Sequence, residues 1–392
     1  MENPNASQTT LDQMTSKVRA FPCVSCGAKL SFQPGSKTLK CPYCAASNDI
    51  PESDDSVEEL DLNTWLTKLE AEHETYEQEN IKCGNCGGAQ TLAVNMFATS
   101  CTFCGSPLTS KSYAQRLIKP KALVPFKVTK LQAQDKWRTW IKGLWLAPSE
   151  LKKFVQSDGG IKGIYIPYWT YDANTHTDYT GQRGDNYSER YETTNSSGER
   201  ITETRTQTRW AGVSGNVSFF HDDVLVAASK TAYGASGGAG SASVANLPII
   251  NMFGAGNLRH WNPKEVVPYQ DEYIVGFQAE AYQVDLREGF VIAKQIIDGK
   301  VQQLIETDIG GDHQRISSVN TQYSHLTFKH ILLPMWISAY LFSGKTYRFV
   351  VNGQTGEVQG ESPKSGWKIF FLVMGILGIL FLFLVLSSGK HR

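Results

Sequence analysis

The sequence predicts an α+β fold: two N-terminal zinc ribbons, a mainly antiparallel, β-rich α+β domain with two related halves, and one C-terminal transmembrane helix. Three observations lead there. All eight cysteines lie between Phe21 and Cys104, as four Cys-x-x-Cys pairs in two sets of identical spacing. The middle of the chain alternates between β-branched and aromatic stretches of period two and stretches with apolar residues at helical spacing. Near the C-terminus, Ile369 to Leu386 is uncharged and mostly apolar.

In the first set, Cys23 and Cys26 are followed after fourteen intervening residues by Cys41 and Cys44; Cys83 and Cys86 stand in the same relation to Cys101 and Cys104. A Cys-x-x-Cys turn lets two thiolates reach one metal, and two such turns complete a tetrahedral four-sulfur shell. The opening twenty residues are polar and carry no secretory apolar segment, which argues against a disulfide framework. Four pairs in matched sets do not fit a single redox dithiol either. Two structural zinc ions are therefore predicted, each in a closed shell with no open position for catalysis. Gly27, Gly87 and Gly105 follow the second cysteine of their pairs, where the backbone favours positive φ; Ala45 takes that place in one knuckle, which should be slightly strained.

These features divide the chain into a polar tail (1–20), ribbon 1 (21–50), an acidic amphipathic linker (51–80), ribbon 2 (81–110), the α+β domain (111–365), the membrane helix (367–387) and a short tail (388–392). The formal charge is zero, but locally the balance swings. Residues 45–80 carry twelve acidic side chains against Lys68, whereas Lys111 to Lys142 contains nine basic residues against Asp135. These two segments could neutralise each other; the basic one could also meet phosphates or lipid headgroups. In the linker, Leu62, Trp65, Leu66 and Leu69 recur at helical spacing, predicting a helix from Asp61 to Glu79 with one apolar stripe.

In the body, Ala122 to Val128 reads as a strand, Lys130 to Leu144 as a helix, and Ser149 to Gln156 as another opened by Pro148. Gly163 to Tyr171 is aromatic and β-branched, hence a strand, and the threonine-rich residues 176–210 read as a long hairpin with one wet face. The Gly, Ala and Ser run at 234–243 reads as a mobile loop. Helical spacing returns from Asp285 to Asp308, although Gly289 and Gly299 interrupt it. A Pro-x-Trp shared by Ile161 to Trp169 and His330 to Trp336 predicts the two related halves. At 1.5 Å per residue, Ile369 to Leu386 would cover about 27 Å of a hydrocarbon core about 30 Å thick. The expected location is the inner membrane, single-pass, with the thiolate-bearing bulk in the reducing cytoplasm.

Several stretches resemble a bacterial family of membrane-anchored tandem zinc-ribbon proteins. They are Phe21-Pro-Cys-Val-Ser-Cys-Gly, Tyr165-Ile-Pro-Tyr-Trp-Thr-Tyr-Asp-Ala, Thr208-Arg-Trp, Phe220-His-Asp-Asp-Val-Leu-Val, Gly310-Gly-Asp, Lys329-His-Ile-Leu-Leu-Pro-Met-Trp and Val351-Asn-Gly-Gln-Thr-Gly-Glu-Val. Such proteins are often described as carrying a TFIIB-type zinc ribbon, or as primosomal or superfamily II helicase-like. The resemblance also implies SPFH or flotillin-like partners and a role in membrane stress.

Two functions compete: a non-catalytic cytoplasmic scaffold on a membrane anchor, docking protein partners, and a replication-linked nucleic-acid-binding protein without its own motor. The acidic linker, which would repel a polyanion, favours the scaffold. No enzyme is predicted, because neither Asp312-His313 nor Phe220-His-Asp-Asp223 comes with a nucleophile in a local motif. Ala339-Tyr-Leu-Phe-Ser-Gly-Lys-Thr346 satisfies a permissive P-loop pattern, but its bulky loop positions and the strand-like Tyr347 to Val351 predict a β-hairpin at Ser343-Gly344-Lys345 that binds no nucleotide.

Overall fold

The computed structural model describes residues 22–28, 30–53, 56–71, 75–82, 89–91, 99–100, 107–108, 113–118, 120–154, 160–194, 198–229, 261–262, 265–280 and 282–388. Cys83, Cys86, Cys101 and Cys104, the polar tail, the Gly/Ala/Ser run at 234–243 and most of the short C-terminal tail lie outside them.

Ribbon 1 is a three-stranded antiparallel sheet of β1 (Ser31–Phe32), β2 (Thr38–Lys40) and β3 (Ser47–Asp49). After β4 (Leu60–Asp61), helix α1 spans Leu62–Ala71, shorter than the apolar stripe alone predicts. Its continuation is a strand, β5 (Thr75–Lys82), paired with β6 (Ala89–Thr91) on one side and β9 (Tyr113–Ile118) on the other. Sheet pairing outweighs the helical reading of that half. β7 (Thr99–Ser100) pairs with β8 (Pro107–Leu108). The α1 stripe is spent inside the molecule: Leu62 and Trp65 are buried, and Trp65 packs edge-on against Phe328 at 6.1 Å.

The body is built on one nine-stranded sheet. β10 (Ala122–Leu123) leads into α2 (Lys130–Gly143), which opens with a reciprocal Thr129–Gln132 capping box, and α3 (Ser149–Phe154). Three very long strands follow: β11 (Lys162–Thr194), β12 (Arg200–Ala227) and, after the short β13 (Val267–Pro268) and β14 (Gln278–Ala279) and helix α4 (Leu286–Ile309), β15 (His313–Phe342). β11 runs between β12 and β15, antiparallel to both. Odd-numbered β11 residues such as Trp169 and Tyr171 face α4, whereas Ile166 and Tyr168 face the opposite layer with Ile331 and Leu333. Gly289 fits this packing, since a Cβ there would collide with Tyr171 and Trp169; α4 needs that close approach, which is why the glycine does not break it.

β16 (Lys345–Asn352) returns from β15 through Ser343 and Gly344, whose φ values of 49° and 77° make the tight turn expected at the P-loop-like motif. β17 (Val358–Gly360) closes this edge. Helix α5 (Gly366–Ser388) is tied to the body at its start, where Lys368 Nζ donates to Ala147 O at 2.6 Å.

The predicted fold class and location need correction. The chain is mainly β, with one large sheet and five helices among the described residues. The two Pro-x-Trp segments are not equivalent parts of related halves: they are antiparallel neighbours in one sheet, with Tyr165 opposite Pro334 and Gly163 opposite Trp336. No helix among the described residues is long and apolar enough to cross a membrane. A single-pass inner-membrane protein is therefore not supported.

Candidate metal centre

The ribbon 1 strands are too short to enclose anything alone, and their role is to carry two knuckles. In the first, Cys23 N–H donates to Ala28 O at 2.8 Å and Gly27 N–H to Cys23 O at 2.8 Å; in the second, Cys41 N–H donates to Ala46 O at 2.9 Å and Ala45 N–H to Cys41 O at 3.1 Å. The two turns are alike, down to positive φ at the residue after the second cysteine, 71° at Gly27 and 59° at Ala45. The strain expected at Ala45 is thus located: an L-residue with a Cβ held in the left-handed region.

The knuckles bring Cys23, Cys26, Cys41 and Cys44 together, every sulfur within 4.8 Å of the others. Cys23 Sγ lies 3.6 Å from Cys44 Sγ, and Cys26 Sγ 3.5 Å from Cys41 Sγ. Sulfurs at about 2.3 Å from a tetrahedral zinc would stand about 3.8 Å apart, so the cluster can hold one zinc ion with little adjustment. The electrostatics point the same way. The Ser25 N–H, 3.4 Å from Cys23 Sγ, leads the causes that bring that thiol down to about 6. The Ala46 N–H lowers Cys44, but the three neighbouring sulfurs push it up to about 12. Four thiolates at this spacing need a cation among them.

Ribbon 1 is not a separate bead. Phe32 N–H donates to Val275 O at 2.9 Å, Gly35 N–H to Phe126 O at 2.8 Å, and the Phe32 ring meets Tyr273 edge-on at 5.3 Å. Cys23, Cys41, Phe32 and Leu39 share one buried core with Phe126, Trp137 and Trp336 of the body. By contrast, Val24 and Tyr43, in the middle of the two knuckles, are 87% and 82% exposed.

A second group of ligand-type side chains went unread as a unit. Asp172, Asp222 and Asp223 bring carboxylate oxygens within 4.8 Å of one another. The strands that flank β11 both bulge beside Asp172: the β12 register shifts across Asp222 and Asp223, the β15 register across His325 and Leu326, and Asp223 and His325 take φ of 50° and 51°. Asp172 Oδ1 accepts the Asp223 N–H at 2.6 Å and Oδ2 accepts the Thr327 hydroxyl at 3.0 Å. Lys329 reaches Asp223 at 2.8 Å and Glu59 at 3.1 Å. Burial raises Asp172 to about 6. Burial also works against the Lys329 charge, but Asp223, Asp172 and Glu59 hold the ammonium above the ordinary lysine value. The Phe220-His-Asp-Asp223 motif was the sequence signal, and only the bulge turns both aspartates towards Asp172. His221 does not join them; it bonds Thr175 Oγ1 at 3.1 Å.

Asp312, the other carboxylate singled out, accepts the Asn186 N–H at 2.7 Å beside the Gly310–Gly311 turn, a turn-fixing role. Of the two charged segments that could neutralise each other, described members pair elsewhere: Glu52 with Lys37, Glu59 with Lys329, and Lys127 with Glu265.

Comparison with known proteins finds one full-length similarity. The chain is 25% identical over 378 residues to the uncharacterized protein YdjG of Bacillus subtilis (strain 168), covering 94% of this chain and 97% of that one. No family model matches the sequence, and no solved structure matches it.

Proposed function

We propose that this protein is a zinc-stabilised adaptor without catalytic activity, which uses its metal-fixed knuckles to dock protein partners. The observation that carries this reading is the pairing of a coordinatively closed sulfur cluster with exposed apolar knuckle tips. Four sulfurs leave zinc no site for water or substrate, so the metal serves shape. The shape it serves presents Val24 and Tyr43 to solvent from a base welded into the core. Rigid, exposed apolar side chains of this kind are what a partner surface uses.

In this reading Cys83, Cys86, Cys101 and Cys104 hold a second structural zinc. Strand registers support it. In ribbon 1, β2 and β3 pair Lys40 with Ser47, one residue before Cys41 and three after Cys44. Around the second set, Lys82 pairs with Ala89 and Ser100 with Pro107, the same offsets from Cys83 and Cys86 and from Cys101 and Cys104.

Metal analysis of the reduced full-length protein tests the first part, with two zinc ions per chain expected and one after Cys101→Ser with Cys104→Ser. Crosslinking in cells tests the second: Val24→Asp with Tyr43→Asp should remove captured partners while zinc content stays constant. An unchanged capture pattern, or salt-resistant and sequence-selective DNA binding, would overturn the adaptor reading.

A further inference from the structure

On the sheet face away from α4 lies a cavity of about 210 Å³. Val124, Val266, Ile331, Leu333 and Trp261 form its apolar wall, and Thr170, Asp223 and Lys329 stand at its polar end. Thr170 on β11 and Lys329 on β15 are cross-strand partners, so the polar end is one row of the sheet, directly beside the bulges.

The hydrogen-bond accounts of this row do not close. Thr170 is buried, 2% exposed, and its Oγ1 has no partner among the described residues. Folding rarely leaves a hydroxyl in that condition unless something else completes it. Asp223 Oδ1 accepts from the Lys329 ammonium and, as a carboxylate, Asp223 retains acceptor capacity. The charges do not close either: among the described residues, Glu59 and Asp223 both pair with the ammonium of Lys329, and Asp172 and Asp222 add two further carboxylates beside Asp223. The surplus is negative, so an anionic guest is repelled and a cationic one attracted. A cavity of roughly 150 Å³ accepts benzene, which sets the scale of the body that fits.

We propose that this cavity binds a small primary amine with an apolar body of about five to eight carbons, its ammonium held by the Asp223 carboxylate and the Thr170 hydroxyl and its body against Val124, Val266, Ile331, Leu333 and Trp261. This site is independent of the zinc ribbons, and neither reading depends on the other.

The test is calorimetry on the full chain with three probes that share one branched five-carbon skeleton, isoamylamine, isoamyl alcohol and isovalerate, and with Mg²⁺ and Ca²⁺ alone. Isoamylamine should bind saturably, about tenfold tighter than the alcohol, in line with one charge-assisted hydrogen bond, and isovalerate should not bind. Thr170→Val, which swaps the unpartnered hydroxyl for a methyl of the same size, should weaken the amine severalfold without lowering the melting temperature. Asp223→Asn should weaken it further; should that variant fail to fold, Thr170→Val decides alone. Equal binding of amine and alcohol, tighter binding of isovalerate, a response only to the divalent ions, or no saturable binding at millimolar amine would each overturn the proposal.

Discussion

Two clusters of anionic side chains stand in this molecule, four sulfurs in ribbon 1 and three carboxylates at the sheet bulges, each drawn together within 4.8 Å. They solve the same electrostatic problem differently. Among the described residues the sulfur cluster has no cationic side chain as a bonding partner, and its four sulfurs could hold one zinc ion that meets their charge. The carboxylate cluster has Lys329 brought to it by the neighbouring strand, with Glu59 adding a further carboxylate. With zinc bound, one cluster would make the fold depend on an ion, whereas the other relies on an amine of the chain itself.

Removing the cation from each side tests that contrast, and the larger effect belongs to the ribbon. Structural zinc contributes apparent folding free energy on the order of 10 kcal/mol. Because Cys23 and Cys41 share a core with Phe126 and Trp336, the loss should not stay local. Chelation, or Cys41→Ser, is expected to unfold the ribbon and to lower the melting temperature of the body as well, as followed by tryptophan fluorescence. A body that melts unchanged after zinc is stripped would show that the shared core carries no coupling.

The equivalent operation at the bulges is Lys329→Met. It leaves Asp223 without its counter-ion beside the buried Asp172, and because the pair is only partly buried the loss should fall below the ~3–5 kcal/mol of a fully buried pair. Urea denaturation should show this loss, with zinc content unaltered. A double variant that also carries Asp172→Asn and Asp223→Asn should recover part of it, because no unpaired charge then remains buried.

How much of this contrast could be read from the sequence follows from how far apart the contributing residues lie. The sulfur cluster is written in local spacing: each knuckle needs two cysteines three positions apart, and even Ala45 announces its conformation by standing where glycine stands elsewhere. Helix α4 was legible for the same reason, through periodicity within one segment. The carboxylate cluster joins Asp172 to Asp223 across 51 positions and Lys329 to Glu59 across 270. It exists only because two bulges shift register at the same level, and no local pattern encodes that. The overlong helix has the same source: the apolar spacing predicts a helix running from Asp61 to Glu79, but Thr75–Lys82 is a strand paired with Tyr113–Ile118. Likewise, the two Pro-x-Trp segments looked like a repeat when their resemblance reflects adjacent places in one buried sheet.

The pH response sharpens the comparison on the carboxylate side. Asp172 sits at about 6 in the folded protein, raised mainly by burial, against about 3.9 in an unfolded chain. The native state therefore binds this proton more tightly, and its contribution to stability is full below about pH 4 and lost as pH rises through about 6. Other groups titrate over the same range, so the quantity to measure is a difference. Stability of the native sequence minus that of Asp172→Asn, from urea midpoints between pH 4 and 7, should fall as pH rises. A flat difference would show that Asp172 is not desolvated as its burial implies.

The smallest effect returns to the ribbon and concerns geometry instead of charge. Ala45 holds φ at 59°, a region that costs an L-residue roughly 1–2 kcal/mol. Glycine removes that cost, but it also gives the unfolded chain more freedom to lose, a penalty of roughly 0.5–1 kcal/mol. The first term is the larger, so Ala45→Gly should stabilise the protein by about 0.5–1 kcal/mol. Gly27, at the same place in the other knuckle with φ of 71°, supplies the control, because Gly27→Ala should cost a similar amount. Slower zinc release to a chelator from Ala45→Gly, and faster release from Gly27→Ala, would place the strain in the metal-bound knuckle. Equal release rates with the same shift in melting temperature would place it in the unfolded chain instead.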